Sequence, residues 1–229
     1  MLPNLLQRCA RALLLVMPAI ALASGLDALS SQEAASGLRA ALSLGVGVAV
    51  AQLGKNGGFL NDPKVAIPLP HPLDKAESGL RMIGMGSQAD ELKATMNHAA
   101  EQAVAQAKPI FEQALKQMTL TDAKGILTGG DGAGTAYFRR KTSTALTAKF
   151  KPIVAAETAK LGLAAKYDEY AGKAASLGLI SSEDAHLNDY VTEKALDGLF
   201  SRVAEEEHQI RQNPMGQASS IIKKVFGSL

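Results

Sequence analysis

The densest grouping of chemistry-bearing residues in this chain is Thr128-Gly129-Gly130-Asp131-Gly132-Ala133-Gly134-Thr135. A phosphate-cradling P-loop needs G-x-x-x-x-G-K-[ST] after a strand, with the lysine reaching the β- and γ-phosphates. Gly129 and Gly134 have that spacing, but Thr135 stands where the lysine belongs. The dinucleotide fingerprint fails too, because counting from Gly130 and Gly132 its third glycine falls on Thr135. What remains is a turn running into a helix, whose first N–H groups attract an anion. Gly130, Gly132 and Thr135, with Arg139 and Arg140 a turn further on, are therefore the candidate anion- or ligand-binding residues. The plainer reading is a helix–helix turn with glycine at left-handed positions and Asp131 or Thr135 as a cap.

The other reactive residue types are scattered. His71, His98, His186 and His208 show no i, i+3 or i, i+4 pairing with one another. There is no H-E-x-x-H and no acidic calcium loop, so no metal and no cofactor is expected. Glu205-Glu206-Glu207-His208 reads as a solvated helix face, with Glu207 and Arg211 spaced for a surface ion pair. No G-x-S-x-G nucleophile elbow occurs. The adjacent carboxylates Asp168 and Glu169 point to different helix faces. An enzyme reading therefore rests on Asp131, Tyr137 and Arg139 near the glycine loop, acting as a hydrolase on an envelope substrate.

These residues need elements to position them, and the pattern is helical almost throughout. Hydrophobic residues make up 47% of the 229 and charged residues 20%, the balance of a globular chain rather than a disordered one. Aromatic residues are 4%, Trp is absent and the net charge is +2. Neither an aromatic stacking platform nor a polycationic nucleic-acid surface is on offer. No run alternates like a strand between turn signals, so the expectation is an all-α fold without a sheet. Ser30 and Glu33 form a capping box that opens a helix to about Leu53, with Leu38, Leu42, Ala49 and Leu53 on its apolar face. Gly37, Gly45 and Gly47 on that helix suit close approach of other helices. Further helices are predicted over 72–83, 87–107, 109–118, 119–127, 135–150, 152–161, 164–177, 187–212 and 217–226. Pro152 starts a new one in this reading.

Residues 54–72 break the pattern. Pro63, Pro68, Pro70 and Pro72 forbid a helix and push each preceding residue to extended geometry. Val65, Ile67 and Leu69 alternate, so this connection is expected to lie extended over the helices with those side chains inward. A Pro-rich ligand for a partner's groove is the sharper alternative.

The first 23 residues read as a secretory signal peptide. Arg8 and Arg11 supply the positive region, Ala12–Leu22 the apolar region, and Ala21-Leu22-Ala23 the cleavage signal, with the cut between Ala23 and Ser24. Cys9 precedes the apolar region, so it is no lipidation site. Removing Arg8 and Arg11 from the 24 basic residues leaves 22 against 22 acidic ones. Cys9, the one cysteine, leaves as well. The expectation is a single all-helical domain over 24–229, located in the periplasm and held together by packing without disulfides.

Several phrases then converge on a known family: Ile67-Pro68-Leu69-Pro70, Met96-Asn97-His98-Ala99-Ala100-Glu101, and Ile126-Leu127-Thr128-Gly129-Gly130 followed by Thr135-Ala136-Tyr137-Phe138-Arg139. Tyr190 through Phe200, Ile210-Arg211-Gln212-Asn213-Pro214 and Lys224-Val225-Phe226-Gly227 complete the set. Together they resemble an exported bacterial all-helical family of unknown function, family 4197 of the domain-of-unknown-function series. The resemblance spans essentially the whole mature chain. Its usual basic residue after Met-Asn, often Arg, is His98 here. It implies export and an all-α fold, and it carries no catalytic residues across.

The leading functional expectation is a non-enzymatic helical binding or interaction module of the envelope. Its partner would be another envelope protein or a small amphipathic ligand, not a nucleic acid. The hydrolase is one alternative. Weak peripheral membrane association through the C-terminal helix is another, with Lys223 and Lys224 beside Ile221, Ile222, Val225 and Phe226.

Overall fold

Local chemistry decides where the helices begin. In the computed structural model, α1 (Ser31–Leu53) starts at Ser30, whose hydroxyl accepts from the Glu33 N–H while the Glu33 carboxylate accepts from the Ser30 N–H. α2 (Gly86–Val104) is followed by α3 (Lys108–Lys116), which has Pro109 in its first turn. α4 (Leu120–Thr128) opens on a second reciprocal cap between Thr119 and Asp122. α5 (Ala133–Thr158) and α6 (Leu187–Gln212) are the longest helices among the described residues. A 3₁₀ turn at Pro214–Gly216 then leads to α7 (Ser220–Phe226). The structure describes residues 30–70, 78, 81–82, 84, 86–160, 167–168, 186–217 and 219–227. Among the described residues there is no strand, and the fold is all-α. The signal segment 1–23 with its Ala23/Ser24 cut, most of the predicted helices 72–83 and 164–177, and most of the loop 178–186 lie outside the described residues.

α5 corrects one expectation. Pro152 lies inside it rather than opening a new helix, and the helix begins at Ala133, which shortens the glycine-rich turn. Phe138, Thr142, Leu146, Phe150, Val154 and Thr158 follow one another at steps of four, and all are buried. That uninterrupted face holds the helix together across the proline. Pro152 is on the exposed side, where the backbone bond it removes faces water.

α5 packs on α6 and α2, while α1 lies across α6 and α7 and against α3 and α4. The apolar side chains from these elements form one continuous cluster. At its centre Phe111 meets Phe138 edge-to-face at 4.9 Å between centroids and Phe200 at 6.1 Å. α1 is long and apolar enough, by length and composition, to cross a membrane, yet 56% of its apolar stretch is buried inside this fold. α7 seats on α1 where Gly37 leaves room: a Cβ at Gly37 would stand 2.4 Å from Val225 Cγ2. Ile222, Val225 and Phe226 are buried, so α7 turns its apolar side to the protein. Gly45 faces α6 through Glu206, whereas a Cβ at Gly47 would meet nothing within 4 Å among the described residues.

Residues 54–70 form a strap over the outside. It turns repeatedly to Val65 and then runs extended to Pro70. Phe59, Val65, Ile67 and Leu69 are buried beneath it.

Candidate functional site

Three polar arrangements stand out, and the first is at the glycine-rich turn. Gly132, the residue before α5, has φ +80° and no side chain to cap the helix. The orphaned N–H groups of the first turn need an acceptor. Glu207 of α6 supplies it: its carboxylate accepts from the N–H of Gly134 at 2.9 Å, the N–H of Thr135 at 2.8 Å and the Thr135 hydroxyl at 2.8 Å. Arg211 pairs with the same carboxylate at 3.1 Å and donates to the Ile126 carbonyl at 2.9 Å. Glu207 is 5% exposed. It is therefore not part of a solvated charge run, and its pair with Arg211 is a buried one. The anion at this helix start is the chain's own.

The remaining candidates around this turn go separate ways. Gly130 and Gly132 take left-handed φ, as a turn requires. Arg139 lies 4.5 Å over the Phe200 ring and pairs with Asp197 at 3.2 Å. Arg140 lies 6.0 Å from the Tyr137 ring and donates to the Ala136 carbonyl. The three residues of the hydrolase reading do not converge. Tyr137 is buried, donates to the Ala114 carbonyl at 2.9 Å, and has its phenol pushed upward by burial. Asp131 sits at the surface beside His208, 2.9 Å from its Nδ1. Among the described residues no hydroxyl is bonded to that imidazole. Asp168 caps α6 by accepting from the Leu187 N–H at 2.9 Å. Among the described residues no three His, Cys, Asp or Glu side chains gather as a metal-binding group.

The second arrangement pins the strap. Asn97 is fully buried on α2, where its amide donates to the Ile67 carbonyl at 2.9 Å and accepts from the Ile67 N–H at 2.8 Å. One turn on, the buried Glu101 accepts from the N–H groups of Phe59 and Leu60 at 3.0 and 3.3 Å. His98 Nδ1 lies 3.2 Å from its other oxygen. From α6, Arg202 ties Asp62 and Glu205 together, and Lys64 meets Glu205 at 2.9 Å. Tyr190 reaches the Pro68 carbonyl at 3.2 Å. Sequence reasoning assigned no such role to Asn97 or Glu101. The usable signal was their spacing: both fall in phase with the buried Ala100 and Val104 on one helix face.

Pinning the strap this way opens the third arrangement. Lys194, Asp197, Gly198 and Ser201 of α6, at i, i+3, i+4 and i+7, share one face. Residues 64–68 of the strap run alongside and close a groove of about 240 Å³. Gly198 sets the distance between its walls, since a Cβ there would meet Phe59 Cε1 at 2.7 Å. Its exposed apolar surface comes from Ala66 and Pro68, over the buried Val65 and Ile67, and its polar groups are the two lysines, Asp197 and Ser201. A second crevice, between α1, α6 and α7, has room for about 10 Å³ and touches Glu207 and Arg211. That is space for roughly one water.

Fold and site together define an all-helical protein in which a strap, fixed by buried polar side chains, walls a small surface groove. The chain belongs to the family described as Protein of unknown function (DUF4197), whose model matches residues 28–227. No curated protein matches the chain, and no solved structure matches it.

Proposed function

We propose that the protein is an exported, non-enzymatic binding module of the bacterial envelope that takes a small amphipathic ligand in the groove between the strap and α6. The observation that carries this reading is the groove itself, about 240 Å³ and of mixed character, with apolar surface at Ala66 and Pro68 and polar groups at Lys64, Lys194, Asp197 and Ser201. Ligand sites are concave and mostly apolar, with few polar groups. This one lies just below their usual range of roughly 300–1,000 Å³, which favours a small occupant. The reading is supported further by the separation of Asp131, Tyr137 and Arg139 into three environments. The apolar residues of α7 are engaged with α1, which leaves little for a membrane to hold. The proposed export, with the periplasm as destination, is supported by the basic and apolar N-terminal pattern and by the Ala21-Leu22-Ala23 signal.

Native mass spectrometry of the protein exported with its own leader in its native host tests this. The expected result is a mass above that of the chain, lost on denaturation and absent from Ser201→Trp, whose indole fills the groove. A bare chain mass, or an adduct that Ser201→Trp retains, contradicts the proposal.

A further inference from the structure

Charge accounting within the groove narrows the ligand class, on the footing that the groove is the binding site. Lys64 is neutralised by Glu205 at 2.9 Å, and Asp197 by Arg139 at 3.2 Å. Lys194 is different. Its Nζ lies 5.6 Å from the centre of the Tyr190 ring, and among the described residues it has no carboxylate partner. Asp197 is only one turn away on the same helix, yet its carboxylate is turned to Arg139. Tyr190 is itself held by the Pro68 carbonyl, so the ring that positions the ammonium is fixed to the strap. Among the described residues the groove thus presents one unneutralised positive charge, one exposed hydroxyl at Ser201, and apolar surface from Ala66 and Pro68.

We infer that the groove takes a free small organic monocarboxylate, with its carboxylate on Lys194 and its apolar body against Ala66 and Pro68, the apolar strap residues of the lining that keep exposed surface. A single cation matches a single negative charge. A dianion such as a phosphate ester would leave one charge without a partner against an apolar wall, which is costly. The volume suits a short acyl chain rather than a long-chain lipid.

Titration of the ¹⁵N-labelled mature protein with hexanoate, hexan-1-ol and inorganic phosphate, followed at the amides of Ala66, Gly198 and Ser201, tests this. Hexanoate is expected to shift these resonances saturably, and hexan-1-ol to bind about tenfold more weakly for want of the charge-assisted contact. Lys194→Met should bring hexanoate down to the level of hexan-1-ol, while Lys194→Arg keeps it, with the backbone spectrum showing that both variants are folded. Equal binding of hexan-1-ol and hexanoate would overturn the carboxylate inference and leave the groove as a binding site. Shifts of the same size with inorganic phosphate would replace it with unselective anion binding. No shift with any of the three would remove both the inference and the proposed groove.

Discussion

Glu207 carries the strongest consequence for a single residue. Its carboxylate satisfies two backbone N–H groups, one hydroxyl and Arg211 in a buried setting. Glu207→Ala strands all of them, and breaking a buried pair typically costs about 3–5 kcal/mol. Urea unfolding should show that loss, while Glu112→Ala, whose exposed pair with Lys108 spans 3.9 Å, should change stability by less than about 1 kcal/mol. Asn97 is the counterpart on the strap. Asn97→Ala leaves both the N–H and the C=O of Ile67 buried without partners, at about 1–3 kcal/mol for each group. Asn97→Asp keeps the acceptor for the Ile67 N–H but sets a buried carboxylate oxygen against the Ile67 and Lys93 carbonyls, so its midpoint at neutral pH should fall at least as far as that of Asn97→Ala. Neither role was plain from the residue itself. A run of three glutamates looks solvated, but Glu207 is in phase with Leu199, Val203 and Ile210. That phase was the readable clue; the absence of a side-chain cap at the start of α5 came only from the structure, since Asp131 or Thr135 was the cap expected from the sequence.

Among the elements, α1 and α7 make two opposed predictions from one residue type. Gly47→Ala gains helix propensity, up to about 1 kcal/mol, because nothing lies within 4 Å of the new Cβ. Gly37→Ala gains the same propensity but drives a methyl against Val225, and overpacking costs about 1–3 kcal/mol. Thermal melts should rise for the first and fall for the second. The α1–α7 junction also has an acid limb. The Lys224 ammonium, joined by the Ser30 cap, holds the Glu33 carboxyl down at about 2, against an ordinary value of 4.5. A carboxyl depressed in the folded state contributes stability above its unfolded pKa and loses it as pH falls through the folded one. Glu33→Gln should therefore flatten stability between about pH 4.5 and pH 2, measured by denaturant midpoints across that window. The cap at Ser30, the opening of α4 near Thr119 and the span of α6 were legible because their signals are local. The continuity of α5 through Pro152 was not, since it depends on burial at every fourth residue and outweighs a local helix-breaking signal.

Across the whole molecule, helical periodicity carried the all-α class, and the family match over residues 28–227 agrees with the phrases quoted from the sequence. The groove was not legible, because it joins strap residues 64–68 to α6 residues 194–201, more than a hundred positions apart. A preformed groove requires the strap to be a fixed wall, held by Glu101 and Asn97, and not a loop that drifts from the helices. Amide hydrogen exchange on the intact protein measures this directly at Phe59 and Ile67, whose N–H groups are donated to those two side chains. Both should exchange as slowly as the α5 core amide of Phe150, through opening that approaches global unfolding. Exchange of Phe59 and Ile67 at the rate of an open loop, with Phe150 still protected, would contradict a fixed strap and the groove it walls.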